Sequence, residues 1–391
     1  MGEFEMIDYR ELRRRYEDIY DGEPRIFRAP GRVNLIGEHT DYNDGFVLPM
    51  AIDREATVAI VPRDDRKFRV HTLNFDESGE FDLDVPFSGE RGRWINFIEG
   101  MIRILESKGK RLRGADIVIW SDIPSGAGLS SSAALEIVIG LSTLTASGEE
   151  VDRTLLARAG QQTEHDYVGA KVGIMDQFVS ANASRGHALR LDCRSLEFEN
   201  VPLDTSEVAV VICDTNVKHD LATSAYNKRR EECSQAVEIL KAVLPGITHL
   251  RDVSVSDFER HEALLPEPVR SRARHVVTEN ERTVRAAEAL KRNDLQEFGR
   301  LMWESHRSLR DDYEVSSPEL DTLVEIAHGF DGVLGSRMTG GGFGGSTVSL
   351  VPRGSVDDFR ATMAAEYQKA HGRELTSLVS EPCAGASEVL D

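Results

Sequence analysis

The sequence predicts a two-domain protein of the α+β class, and three observations lead there. A chain of 391 residues is long enough to bury two cores. At 115–144 a β-branched run, a loop of small residues and a helical apolar pattern follow one another directly, as in a strand–loop–helix unit. Beyond about residue 200 the short alternating runs give way to long helical segments mixed with a few strands. The expected division is 1–200 and 201–391. It is a change of pattern rather than a linker, with no internal repeat or low-complexity tract.

In chain order, residues 1–20 have an amphipathic helical pattern, and a turn at Asp21–Pro24 leads into a strand over Arg25–Ala29. Residues 30–42 read as a glycine-punctuated loop before the apolar Phe46–Met50. Ala56–Pro62 and Phe68–Asn74 alternate as strands of one sheet, and Gly79–Phe87 reads as an edge strand. Trp94–Leu105 is a buried helix, with Trp94 read as a core residue in preference to the border of an adenine pocket. Ala115–Trp120 is a strand, and apolar residues from Ala133 to Leu144 recur at helical spacing with Gly148 as the stop signal. Leu155–Tyr167 reads as a helix with Glu164 and His165 near its C-terminal end. In the second half, Val208–Cys213 is a buried strand, and helices are expected near Glu231–Leu244, Ser271–Lys291 and Leu295–Leu309. Ser317-Pro318 is a strong helix start, serine as cap and proline in the first turn. The Gly-rich Ser336–Gly345, a strand to Val351, a helix over Val356–His371 and a strand near Leu375–Ser380 complete the chain.

Composition excludes several classes. The formal charge of −20 argues against nucleic acid as a partner. Such a chain holds a nucleotide only where backbone N–H groups, a divalent cation or a few basic residues reverse the local field. Four cysteines without a CxxC pair fit a reducing compartment better than a disulfide or zinc framework. The charged N-terminal segment has no apolar signal core, and no later run approaches ~18 apolar residues, so a cytoplasmic protein without a membrane partner is expected.

Three stretches concentrate chemistry. In 124–136 (PSGAGLSSSAALE), small residues let a ligand reach the backbone at a helix N-terminus, where unpaired N–H groups favour an anion. Its serines can cap the helix, bind phosphate oxygens or ligate a metal. Alone, this loop fits an ordinary Gly-Ser turn equally well. It lacks the Walker A lysine, the literal G-x-G-x-x-G at Gly340–Gly345 opens into a strand rather than a helix, and the protein-kinase signatures are absent. In 30–42, Arg32, Glu38, His39, Asp41 and Tyr42 stand among prolines and glycines, a density of polar groups that suits a polyhydroxylated ligand. In 169–178, Asp176 sits among Ile174, Met175 and Phe178; it suits a general base, and taken alone suits a helix N-cap better.

Together GRVNLIGEHTDY (31–42), PSGAGLSSSAALE (124–136) and SRMTGGGFGGS (336–346) resemble the three signatures of the GHMP small-molecule kinases. The first, with GIMDQF (173–178) and DTNVKHDLATSAYNKRREEC (214–233), is similar to the branch that phosphorylates galactose. The resemblance implies an N-terminal α/β domain with a left-handed βαβ unit, against the usual handedness, and a ferredoxin-like C-terminal domain. It implies that Gly126, Ala127, Gly128, Leu129, Ser130, Ser131 and Ser132 cradle the phosphates of ATP, and that Ser132 and Glu164 hold Mg²⁺. Glu38, His39, Thr40, Asp41, Gly173, Asp176 and Tyr226 would contact the sugar. Asp176 would take the proton of the anomeric hydroxyl or orient it, Arg32 would stabilise developing charge, and the 336–345 loop would close over the reactants. The implied reaction is ATP-dependent conversion of α-D-galactose to galactose 1-phosphate. The alternatives are a related kinase for N-acetylgalactosamine, arabinose or mannose, and a non-catalytic galactose/ATP sensor. The expected partners are the sugar and ATP, with the chain a monomer or weak homodimer.

Overall fold

The computed structural model describes residues 7–217 and 222–390. The first six residues of the predicted 1–20 helix, and residues 218–221 within the 214–233 motif, lie outside the described residues.

Helix α1 (Tyr9–Ile19) is capped by Asp8, whose side chain accepts from the Glu11 N–H. Strands β1 (Arg25–Asn34), β2 (Phe46–Val47), β3 (Pro49–Pro62), β4 (Lys67–Thr72) and β5 (Glu77–Asp82) follow, then helix α2 (Asn96–Ser107) and strand β6 (Ala115–Ser121). Helices α3 (Ser131–Ala146), α4 (Arg153–Thr163) and α5 (Met175–Asn182) precede strands β7 (His187–Asp192) and β8 (Phe198–Pro202). Strand β9 (Val208–Asp214) opens the second half. Helices α6 (Ala222–Leu240), α7 (Val255–His261), α8 (Val269–Lys291), α9 (Leu295–Asp311) and α10 (Pro318–Gly329) come next. Strands β10 (Gly335–Thr339) and β11 (Ser346–Pro352), helix α11 (Val356–His371) and strands β12 (Thr376–Ser380) and β13 (Ser387–Val389) end the chain.

The six-stranded sheet has the order β13-β1-β3-β6-β4-β5; only the β4–β6 pair is parallel, and its crossover runs through β5 and α2. Helix α3 packs against β1 and β3, burying Ala134, Ile137, Val138 and Leu144 in the main core. Burying each of the three larger side chains, Ile137, Val138 and Leu144, contributes about 1.5–3 kcal/mol. The second sheet, β10-β11-β9-β12, is antiparallel throughout. With helices between β9 and β10 and between β11 and β12, it is a split βαβ arrangement of the ferredoxin-like kind. A small third sheet joins β2, β7 and β8.

Five features differ from the sequence expectations. Strand β1 does not stop at Ala29: Arg32, Val33 and Asn34 pair with Ala51, Met50 and Pro49 beyond a bulge between Pro30 and Arg32. Pro-Gly there is a bulge, where the missing proline donor does no harm, and not a loop start. Helix α6 begins at Ala222, not near Glu231, so it carries Tyr226; α7, capped by Ser254, was not anticipated. Residues 336–339 of the third motif belong to β10 and not to its loop. Finally, β13 pairs with β1, Ile26 opposite Val389. We retain the division at 200/201 as a proposal, amended so that the last strand belongs to the first sheet. Among the described residues no helix is long and apolar enough to cross a membrane.

Candidate active site

The loop between β6 and α3 folds as the small residues dictate. Gly126 and Gly128 take positive φ (83° and 74°), and Ser130 follows at 62°. Ala127 and Leu129, between them, are buried pegs. Alternation of this kind turns successive N–H groups outward into a concavity suited to an anion. The back of the loop is held by the rest of the molecule. The Arg32 N–H donates to the Leu129 carbonyl at 3.1 Å, and the Ser346 hydroxyl donates to the Ala127 carbonyl at 2.7 Å. Ser130 occupies the N-cap position of α3 but makes no capping bond; its hydroxyl donates instead to Asp176.

Beside this loop lies a cavity of about 270 Å³ lined by Arg32, Glu38, His39, Asp41, Gly173, Asp176 and Tyr226 together with Gly340–Phe343. The halves of the chain meet in its wall. His39 adopts φ 62°, its Nδ1 lies 2.8 Å from the Tyr42 hydroxyl, and its buried Nε2 has no partner among the described residues. Burial holds this imidazole well below its ordinary pKa. The rings of Tyr226, Tyr42 and Tyr313 surround it, with Tyr226 at 5.5 Å. Asp41 accepts from the Tyr42 N–H, and burial, with the Asp176 charge, raises its carboxyl to about 6. Gly173 is dictated by this packing, because a Cβ there would stand 1.7 Å from Asp41 Oδ2. Thr40 is not in the lining. It is fully buried, and its hydroxyl is committed to the Gly37 and Phe46 carbonyls, holding the loop's shape.

Asp176 is at the start of α5 but caps nothing; Ile174 is the N-cap residue, so the cap reading is overturned. The carboxylate instead forms a bidentate pair with Arg32, Nε to Oδ1 and Nη2 to Oδ2, both 2.8 Å. The third arm of Arg32, Nη1, donates to the Gly128 carbonyl at 2.5 Å. One buried guanidinium thus ties the cavity to the small-residue loop, and the Ser130–Asp176 bond ties them a second time.

At the other side of the loop, Ser132 stands near Glu164, whose carboxyl is raised to about 7 by burial against a smaller lowering by Ser132. An oxygen pair of this kind, with a carboxylate poorly solvated by the protein, suits a hard cation. Among the described residues no group of three or more His, Cys, Asp or Glu could hold a metal, so any cation here would take its remaining ligands from substrate or water. A second cavity, about 250 Å³ and largely apolar, opens beside Ser125, Ser131 and Ser132 and is bordered by Phe75, Trp94, Phe97 and Leu135. Trp94 therefore faces a cavity as well as the core, which corrects its reading as a core residue. Sequence reasoning also missed Arg337, Glu279 and Tyr313 behind the first cavity, and buried Glu136, which accepts from Gln177 at 3.0 Å. Buried charge inside a helical apolar pattern was the available signal for Glu136 and Glu279.

The galactokinase galactose-binding signature matches residues 14–62, and the GHMP kinase N-terminal and C-terminal domains match residues 96–183 and 286–369. A galactokinase of Chloroflexus aggregans is 52% identical over 375 residues, covering 94% of this chain and 95% of that protein. The chain belongs to the galactokinase family. A galactokinase of Roseiflexus is 49% identical over 392 residues, covering 99% and 98% of the two chains. The crystal structure of Lactococcus lactis galactokinase complexed with galactose superposes with a TM-score of 0.93 at 37% identity, over 97% of this chain and 99% of that one. The two-domain GHMP kinase fold expected from the motifs is therefore the fold of this galactokinase-family chain.

Proposed function

We propose that this protein transfers the γ-phosphoryl group of ATP to the anomeric hydroxyl of α-D-galactose, giving galactose 1-phosphate and ADP. The observation that carries the reading is Arg32, which joins Asp176 in the polar cavity to the Gly128 carbonyl of the anion-suited loop. A sugar hydroxyl and a terminal phosphate held in those two places would be neighbours.

Three donors already occupy the Asp176 carboxylate, two from Arg32 and one from Ser130. A carboxylate has about four acceptor sites, so one is left for the anomeric hydroxyl. Asp176 orients that oxygen and receives its proton as the phosphorus–oxygen bond forms. Arg32, 5% exposed, supplies fixed positive charge beside the transferring group without reorganising. Phosphoryl transfer asks the protein chiefly for this positioning and electrostatics. His39, Asp41 and Tyr226 would hold the remaining hydroxyls, and the N–H groups of 126–132 the phosphates. Ser132 and Glu164 would hold Mg²⁺, which when bound neutralises charge on the phosphates. The cavity at Phe75, Trp94 and Phe97 offers apolar and aromatic walls for the adenine. The four free cysteines support a reducing, cytoplasmic setting.

The test is purified protein with ATP and a panel of galactose, N-acetylgalactosamine, arabinose, mannose and glucose, with products resolved by phosphorus NMR. Galactose is expected to be the preferred acceptor, phosphorylated at the anomeric position. Phosphorylation of mannose but not galactose would overturn the substrate, and ligand binding without turnover would favour a sensor.

A further inference from the structure

Glu38 reaches the first cavity from a fully enclosed setting, 1% exposed, and the groups that hold it come from both halves of the chain. Oε1 accepts from the Gly340 N–H at 2.7 Å; Oε2 accepts from Asn34 Nδ2 and from Arg337 Nη1, the latter at 3.1 Å. Thr339 Oγ1 also lies 3.2 Å from Oε1, but its single proton has a shorter partner in the Asn34 carbonyl at 2.9 Å. Three donors are thus committed, and about one acceptor site remains to face the cavity.

Of those three donors only Arg337 carries charge. It is itself wholly buried and held in place: Nε donates to Ser305 Oγ at 3.2 Å, Nη1 also reaches the Asn34 carbonyl at 3.3 Å, and Nη2 stands 4.0 Å from Glu279. Glu279 is fixed in turn by Arg282 at 2.7 Å, by Ser305 and by the Gly37 N–H. Two carboxylates and two guanidiniums thus stand together, three of them buried and Arg282 partly so, and Glu38 opens on the cavity.

We propose that Arg337 is a positioning residue for the reaction: its guanidinium fixes the Glu38 carboxylate so that the free acceptor site meets a hydroxyl of the bound sugar. The inference rests on the kinase reading above, and places part of the sugar selectivity in a β10 residue that does not touch the ligand. It also makes the cavity incomplete without the second half of the chain. Burial pushes the Glu38 carboxyl up, and Arg337 and, more distantly, Arg32 oppose that push. Glu279 acts in the same upward direction as burial. The other titratable neighbours are His275, held down to about 4 and therefore neutral, whose Nε2 lies 3.2 Å from the Glu38 carbonyl, and Asp41 on the cavity side. Without Arg337 the Glu38 carboxyl rises further and spends more time protonated.

The experiment compares R337M and R337K with wild type, by steady-state kinetics with the sugar that wild type phosphorylates, across about pH 6–8. R337M is expected to raise KM for the sugar about tenfold or more, as loss of a charge-assisted bond does, and to leave KM for ATP within about twofold. Its sugar KM should fall as pH rises, because Glu38 regains its charge, whereas the wild-type value follows Glu38 much less. R337K keeps the charge but not the fork, so it should raise KM while restoring the wild-type pH profile. Thermal melting and circular dichroism establish that each variant is folded. If R337M is not folded, R337K decides. A folded variant with wild-type KM for the sugar and a wild-type pH profile overturns the proposal. Failure of wild type to phosphorylate galactose would instead overturn the substrate reading and leave this test to be run with the true acceptor.

Discussion

The loop 126–132 presents backbone, whereas the cavity beside it presents side chains locked by other side chains. In the loop, positive φ at Gly126, Gly128 and Ser130 aims amides outward, and the apolar pegs Ala127 and Leu129 do the anchoring. In the cavity, Glu38, His39, Asp41 and Asp176 are each set by named partners, several of them from the second half of the chain. The difference teaches where selectivity resides. A phosphate is recognised by any suitably curved backbone, so on the proposed function the loop would suit kinases of many acceptors, whereas the sugar would be recognised by acceptor sites that geometry leaves vacant, which few sequences can supply.

Variants can break that contrast at graded cost. Apart from the reacting carboxylate itself, the largest effect is expected at Arg32, which belongs to both regions. R32M should lower kcat about 10²–10³-fold, the scale of losing one charge-stabilising donor, with a smaller change in either KM. Equal loss in KM alone, measured by steady-state kinetics, would reduce Arg32 to a binding group. Next comes G173A, whose new Cβ would meet Asp41. Displacing Asp41 should raise KM for galactose about tenfold or more and leave KM for ATP near wild type. Alteration of both would mean that the two regions are not separable. E164Q should raise the Mg²⁺ concentration needed for half-maximal rate about tenfold; an unchanged Mg²⁺ titration would remove Glu164 from the metal site. W94A should raise KM for ATP about fivefold and spare galactose, read in the same assays.

The smallest effect is a pH dependence. Asp41, raised to about 6, is the stronger acceptor when ionised, so KM for galactose should about double as pH falls from 7 to 6. Stability moves the other way. A carboxyl whose folded pKa lies above its unfolded value of 3.8 binds more protons folded than unfolded between those values, so its contribution to stability falls as pH rises through about 4–6. Opposite slopes for melting temperature and sugar affinity over that range would sharpen the assignment; parallel slopes would point to another group.

Much of this was legible in the chain. Helices α8, α9 and α11 follow their apolar periodicity, and the Ser317-Pro318 start of α10 is capped as its residues dictate. What stayed hidden was long-range. The three residues of β13 carry no pattern of their own and take strand form only against β1. The partner that turns Asp176 from a cap into an ion pair is 144 residues away, and Arg337 is 299 residues from Glu38. Thr40 looked like a ligand contact because its neighbours line the cavity; its hydroxyl turns inward to two buried carbonyls.

The central claim is that Asp176 handles the hydroxyl onto which the phosphoryl group moves. D176N keeps the shape of the side chain and removes its proton acceptor. Galactose 1-phosphate formation by D176N at saturating ATP and galactose should fall by about 10²–10⁴-fold, while galactose binding measured by calorimetry stays within about threefold of wild type. Turnover near the wild-type rate in a folded D176N protein would contradict the account.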